Sequence, residues 1–282
     1  MLQDFESIEI LCVDDGSTDS SSSIVEKLSI IDERIVKIQS THRGTSHARN
    51  LGLEYARGKY VYFVDSDDSL KSRSIKKMYS LCEKKNLDTL IFNAKILGSR
   101  NNWKIKKMPN KNKFYPDFKY DDVFHISGII PFVWNHFIKR SILINNGICF
   151  NECLYLGEDQ NFVLKYFKHV HRVKIIKSRF YRHTLRTDSS YPNELTLSQN
   201  DYHQHVLMVE DIIQYLGNSI DTSVAEWAID TIYYSHKKIH DGKYAYNEET
   251  KKIFEKLQPL IHDKQRLHII QSLTYISDRQ YL

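Results

Sequence analysis

Proline and glycine are scarce, 5 and 10 among 282 residues, and there are only four cysteines. Those counts exclude collagen-like, mucin-like and disulfide-scaffold architectures. The cysteines, at 12, 82, 149 and 153, contain no Cys-x-x-Cys pair, so no zinc site is expected. Cys12 lies in an apolar run and Cys82 on an apparent helix face. Both read as buried thiols, which suits a reducing compartment. No apolar run approaches the length of a spanning helix. Residues Met1 to Ser7 lack the basic-then-apolar order of a signal peptide. A cytosolic location is expected, with peripheral attachment to a membrane through a basic surface left open. Neither sign of charge dominates: 40 Lys and Arg against 35 Asp and Glu give 40 − 35 = +5. That mild excess is compatible with phosphate-bearing ligands and proves none.

What is present is an ordinary globular composition, 41% hydrophobic, with 18 Tyr and 13 Phe. The length allows one large domain, or one with a smaller partner. The first ninety residues alternate apolar strands and amphipathic helices. Strands are expected at Ile8 to Val13, Ile35 to Ile38, Lys59 to Val64 and Asp88 to Phe92. The first helix should set Ile24, Val25, Leu28 and Ile31 on one face. The second opens at Thr45 or Ser46 and stops at Gly58; the third opens at Ser72 or Ser74 and carries Ile75, Met78, Tyr79 and Cys82. This order predicts a doubly wound α/β fold with a mostly parallel sheet. Residues 98–120 are basic with interleaved aromatics and read as a mobile loop over a cleft, in preference to a nucleic-acid patch. Pro131 to Ile138 should be extended and Glu158 to Phe167 helical, with strands at Val173 to Ile176 and Phe180 to His183. Helices follow at about 198–216, 221–240, 247–260 and 264–277. The domain reading is 1–187 for the α/β part and 188–282 for a helical C-terminal region.

Ligands of open α/β sheets bind beyond the C-terminal strand ends. Two strands end there in carboxylates, Asp14-Asp15 and Asp65-Ser66-Asp67-Asp68. Crowded like charges are costly unless a cation relieves them, and a divalent metal with oxygen ligands does so simply. An EF-hand is excluded, because its sixth position would be Leu70 and its twelfth Lys76. The segment Val61 to Ser69 also resembles the first motif of haloacid-dehalogenase-type phosphatases, but no later acidic strand end of the right kind is evident. His169-x-His171 and His203-x-His205 have no third ligand nearby in sequence and read as surface histidines.

Three blocks in order carry a more specific resemblance. They are Ile10-Leu-Cys-Val-Asp-Asp-Gly-Ser-Thr-Asp19, Gly44-Thr-Ser-His-Ala-Arg-Asn-Leu-Gly52 and Gly58-Lys-Tyr-Val-Tyr-Phe-Val-Asp-Ser-Asp-Asp68. Val133-Trp134-Asn135 ahead of Lys139-Arg140-Ser141, and Gly157-Glu158-Asp159, add to it. Over residues 8–184 the chain resembles glycosyltransferase family 2, whose members have the GT-A fold and are inverting and nucleotide-sugar dependent. The resemblance implies sugar transfer from a nucleoside-diphosphate sugar, UDP favoured, to a saccharide or lipid-linked acceptor in surface polysaccharide synthesis, with no nucleic-acid partner. It implies Asp159 as base, with Glu158 as neighbour or substitute. Asp14, Asp15, Arg49, Asp65 and Trp134 would bind the nucleotide sugar, Arg49 facing the diphosphate or else forming a structural ion pair. Asp65, Asp67 and Asp68 would hold Mn²⁺ or Mg²⁺, with Asp67 the direct ligand. His183 would contact phosphate or metal, or serve only the strand.

Members of that family normally begin with a strand and a Pro-x-Tyr-Asn-type loop ahead of the first block. This chain opens on Met1-Leu-Gln-Asp-Phe. The expectation is an N-terminally truncated domain with an incomplete donor pocket and reduced stability. The alternatives to an active transferase are an inactive remnant or sugar-nucleotide-binding protein, and the phosphatase.

Overall fold

A computed structural model describes residues 5–97, 111–126, 129, 132–184, 198–240 and 248–270. The chain divides into two compact units, Met1–Asp188 and Ser189–Leu282.

In the first unit, β1 (Ile10–Asp14) pairs in parallel with β2 (Ile35–Gln39), joined through α1 (Ser21–Ile31). This ribbon is a sheet of two strands only. Helix α1 therefore finds little to cover its expected apolar face: Ile24 is 51% and Ile31 81% exposed. Helix α2 (Thr45–Tyr55) packs on β1 and places Leu53 in the core.

The larger sheet has the order β3 (Tyr60–Val61), β7 (His136–Lys139), β5 (Thr89–Leu97), β8 (Val173–Thr184), β4 (Ser69–Leu70), with β6 (Lys113–Tyr115) also paired to β8. It is mixed, which corrects the mostly parallel expectation. Only β5–β8 is parallel; β3–β7, β5–β7, β4–β8 and β6–β8 are antiparallel. The reason is connectivity. Strand β7 enters between β5 and β3 and runs against both, and two short edge strands close on opposite ends of β8. The two strands expected at 173–176 and 180–183 are one strand, whose polar middle Lys177-Ser178-Arg179 coincides with a register shift against β5. The strand expected at 59–64 is regular only at Tyr60–Val61. Within the basic segment, 113–115 is an edge strand and not a loop, and α4 (Asp122–His125) follows it; 98–110 lies outside the described residues.

Helix α3 (Ser74–Lys85) covers one face of the sheet. Met78 and Cys82 are fully buried there with Leu87, Leu90, Phe92, Phe137 and Tyr181. A second aromatic layer holds α6 (Glu158–Phe167): Phe162 stacks on Phe150 at 4.0 Å and 3°, and Phe167 packs on Phe118. Each such buried ring contributes about 2–3 kcal/mol by removal from water. The segment expected to be extended at 131–138 begins with a 3-10 turn at Val133–Asn135, and the short α5 (Arg140–Asn145) follows β7.

The second unit contains α7 (Gln199–Leu216), α8 (Thr222–His240) and α9 (Glu248–Leu257). Helix α7 opens with a capping box: the Ser198 hydroxyl accepts from the Asp201 N–H, and the Asp201 carboxylate accepts from the Ser198 N–H. Val206, Val209, Ile212, Val224, Ala228, Phe254 and Leu257 form its core. Arg266 bridges Asp230 at 2.7 Å and Glu226 at 3.0 Å. Among the described residues no helix is long and apolar enough to cross a membrane.

Candidate active site

The first pair of carboxylates closes the loops after β1 and β2. Asp14 accepts from the Ser17 N–H at 2.9 Å, and the Ser17 hydroxyl and N–H hold its carboxyl below the usual range. Asp15 accepts from the Gly44 N–H at 2.7 Å, the Arg43 N–H at 2.9 Å and the Ser40 hydroxyl at 3.0 Å. Burial pushes its pKa up, but the two backbone donors outweigh burial and leave it lowered. Both carboxylates thus fix the loops that shape the end of this sheet. Gly16 is needed in the turn: its φ is +79°, and a Cβ there would stand 3.1 Å from the His42 Cβ.

Arg49 lies on the inward side of α2, its side chain 13% exposed, with the guanidinium carbon 5.2 Å from the centre of the Phe150 ring. One guanidinium meets three acids. It donates to Asp159 at 2.7 Å, to Asp65 at 3.0 Å and to Glu158 at 3.5 Å. Burial opposes its charge, yet Asp159, Asp65 and Glu158 together raise its pKa. Of the two readings left open for Arg49, the ion pair is the contact observed.

Glu158 and Asp159 begin α6, where the helix dipole favours negative charge. Gly157, at φ +82°, makes the left-handed turn that aims them inward. Asp159 also accepts from the Val133 N–H at 3.1 Å, which fixes its second oxygen. Burial, reinforced by Asp159 beside it, raises the pKa of Glu158, and Arg49 only partly offsets this. Burial likewise raises that of Asp65, with Asp159 and Asp68 adding to the rise against Arg49.

The loop 65–68 is pinned to the end of β8. Pairing of Ser69–Leu70 with Tyr181–Arg182 turns Asp68 inward. Its side chain has no exposure and accepts from the Thr184 N–H at 2.7 Å, with the His183 ring nitrogen 2.9 Å away. Burial raises its pKa, but bonds from His183, Tyr181 and Thr184 bring it below the usual value. The Tyr181 hydroxyl also accepts from the Asp65 N–H at 3.1 Å. Asp68 is therefore an anchor of the loop, its side chain closed to solvent. Trp134 is 3% exposed and stacks near-parallel with Phe132, Tyr181 and His183 at 5.0–5.4 Å, so it supports the loop from beneath.

Asp67 is the half-buried third member of the loop. Among the described residues no three His, Cys, Asp or Glu side chains stand ready to hold a metal. The oxygen donors of Asp65 and Asp67 are nonetheless the type that Mg²⁺ and Mn²⁺ prefer.

Sequence reasoning missed the ties that bring these pieces together. Asn50, one residue after Arg49, donates to the Phe150 carbonyl at 2.9 Å and accepts from the Phe150 N–H at 2.8 Å. Glu152 pairs with Arg43, His47 and Asn50. The loop leading to α6 is so stitched onto α2. Tyr181 was visible only as the residue two before His183, hence on the same strand face.

The model of the family described as glycosyl transferase family 2 matches residues 1–147. The uncharacterized glycosyltransferase EpsJ of Bacillus subtilis is 28% identical over 197 residues, 69% of this chain and 56% of that protein. The poly(ribitol-phosphate) beta-N-acetylglucosaminyltransferase TarS of Staphylococcus aureus is 24% identical over 212 residues, 73% of this chain and 35% of TarS. The crystal structure of S. aureus TarS 1–349 with UDP superposes with a TM-score of 0.68 at 22% identity, covering 96% of this chain and 80% of that one. The same fragment with UDP-GlcNAc gives 0.67 at 22%, covering 96% and 81%. The chain spans about half or less of the length of these two curated relatives. The fold it shares with TarS is GT-A.

Proposed function

The chain belongs to glycosyl transferase family 2, and from that premise we propose that it transfers a sugar from a nucleoside-diphosphate donor to an acceptor hydroxyl with inversion. The observation that carries the proposal is the single guanidinium of Arg49. It joins Asp65, on the loop after β3, to Glu158 and Asp159, on the helix that opens the acceptor side. A donor-binding loop and a base are thereby held within one side chain's reach.

Asp159 removes the proton of the attacking hydroxyl. Its Oδ1 is held by Arg49 and its Oδ2 by the Val133 N–H, so the carboxylate is oriented before substrate arrives. The acceptor oxygen forms a bond to the anomeric carbon as the bond from that carbon to the diphosphate oxygen breaks. The proton goes to Asp159, and the electron pair leaves with the nucleoside diphosphate. Asp67, with Asp65 beside it, would hold Mn²⁺ or Mg²⁺, which when bound neutralises charge on the departing diphosphate. Asp68, Tyr181 and His183 keep that loop in place.

A UDP-sugar donor is supported by the UDP and UDP-GlcNAc held by TarS. A saccharide or lipid-linked acceptor in cell-surface polysaccharide synthesis is supported by TarS, which by its name acts on poly(ribitol-phosphate). A cytoplasmic site of action fits that donor and the four unbridged cysteines of the chain. The phosphatase alternative has no such support, and the Asp65 it would use as nucleophile is paired with Arg49.

A screen of nucleotide sugars, read by mass spectrometry for release of the nucleoside diphosphate, tests the proposal. Asp159→Asn should lower turnover by about 10²–10⁴. Turnover unchanged in that variant, or phosphate release from phosphoesters in its place, contradicts it.

A further inference from the structure

The basic segment that the sugar-transfer chemistry leaves unused forms one edge of the large sheet. Among the described residues strand β6 (113–115) has a neighbour on one side only, β8. Antiparallel pairing sets Phe114 opposite Lys174 and Lys113 opposite Ile175. Arg172 donates to the carbonyls of Lys85 at 2.9 Å and Asn86 at 3.0 Å, fastening the end of α3 to the start of β8. The Lys85 ammonium then lies 5.5 Å, and the Arg172 guanidinium carbon 5.4 Å, from the centre of the Phe114 ring. The Lys113 ammonium lies 4.4 Å from that of Tyr115. The Lys177 N–H donates to the Asn112 side chain at 2.9 Å, which brings Lys177 beside Lys111 and Lys113.

Six cations therefore share this edge: Lys85, Lys111, Lys113, Arg172, Lys174 and Lys177. Among the described residues none of them pairs with a carboxylate. A single lysine suffices to stop an edge strand from pairing with another chain. The cations border the edge from both faces of the sheet, Lys174, Lys85 and Arg172 on the Phe114 side and Lys113 on the Tyr115 side, and together raise the local potential, which a dense array of anions relieves. Phe114 packs against the buried cluster around Met78 and Cys82, so it is not a platform for stacking bases. The cations follow a strand edge and a helix end.

We propose that this edge docks the protein on an anionic lipid surface, with the lysines on headgroup phosphates. From Lys177, the docking cation nearest the acidic loop, to His183 is 183 − 177 = 6 residues along β8. At a rise of ~3.3 Å each, the acidic loop stands about 20 Å from the docking edge. Docking thus leaves the Arg49 cluster uncovered. The proposal does not depend on the donor or the reaction, and its test involves no turnover.

The test is co-sedimentation of the full chain with phosphatidylcholine vesicles, with and without about one third phosphatidylglycerol, at about 0.1 M salt. Binding should require the anionic lipid and should be released at about 1 M salt. A lysine near such a surface is worth about fivefold in affinity, so the triple variant Lys113→Gln, Lys174→Gln, Lys177→Gln should bind on the order of a hundredfold more weakly. Lys27→Gln, on exposed α1, should bind as the parent does. Equal binding to neutral vesicles, none to anionic ones, or full binding by a folded triple variant overturns the proposal. Tighter binding to single-stranded DNA or long-chain polyphosphate than to vesicles also overturns it. Should the triple variant fail to fold, retention of the parent on vesicles at high salt overturns it instead.

Discussion

Replacing Arg49 by methionine keeps the aliphatic length over Phe150 and removes only the charge. Three acids then lose their shared partner: Asp159 at 2.7 Å, Asp65 at 3.0 Å and Glu158 at 3.5 Å. Near a protein surface a pair at this range attracts by about 4 kcal/mol before desolvation is subtracted. The arginine's own desolvation opposes that gain and vanishes in the variant. Removal of one partner from a mostly buried cluster then costs about 3–5 kcal/mol, because the remaining charges are uncompensated. The loss should depend on pH. Burial and mutual repulsion already raise the pKa values of Glu158 and Asp65, and loss of the cation raises them further. A folded-state pKa raised above the unfolded one means that folding takes up protons, so stability falls as pH rises through that interval. Arg49→Met should therefore lose the full amount at pH 8 and much less at pH 5. Arg49→Lys, with one charge but no fork, should fall between the parent and Arg49→Met. Urea unfolding followed by circular dichroism at both pH values measures this. A loss under about 1 kcal/mol at pH 8, or an equal loss at both pH values, refutes the clamp.

Other outcomes follow from the same geometry. Glu158→Gln removes the acid whose charged form is disfavoured by burial and by Asp159, so it should stabilise the chain by on the order of 2 kcal/mol at pH 8 and by little at pH 4, in a melting series across pH. Tyr181→Phe deletes the hydroxyl that accepts from the Asp65 N–H and binds Asp68; it should cost about 1–3 kcal/mol in the same unfolding assay and raise KM for the donor more than it lowers kcat. Asp68→Asn should act mainly through stability, with a drop of about 2 kcal/mol, whereas Asp67→Asn should abolish metal-dependent turnover.

The sequence made much of this site readable. Carboxylates after the first and third strands, and Gly157-Glu158-Asp159 before a periodic helix, carry their positions in local pattern alone. Arg49 was legible as a site residue through the family resemblance that the block Gly44 to Gly52 carries. The anchoring of Asp68 was not legible, because it is the pairing of Ser69–Leu70 with β8 that buries it. Strands of two or three residues, such as β4 and β6, have too little pattern to stand out and exist because a long neighbour accepts them. The polar run Lys177-Ser178-Arg179 looked like a break between strands, yet β8 passes through it with a shifted register. The stacking around Trp134 was not legible, because two of its partners, Tyr181 and His183, lie nearly fifty residues further on.

Equilibrium titration of UDP into the chain, with Mn²⁺ and with a chelator, in parent and Asp67→Asn, tests the central claim most directly. The account predicts binding, whatever its strength, that requires both the metal and the Asp67 carboxylate. UDP binding indifferent to manganese and to Asp67 would contradict it.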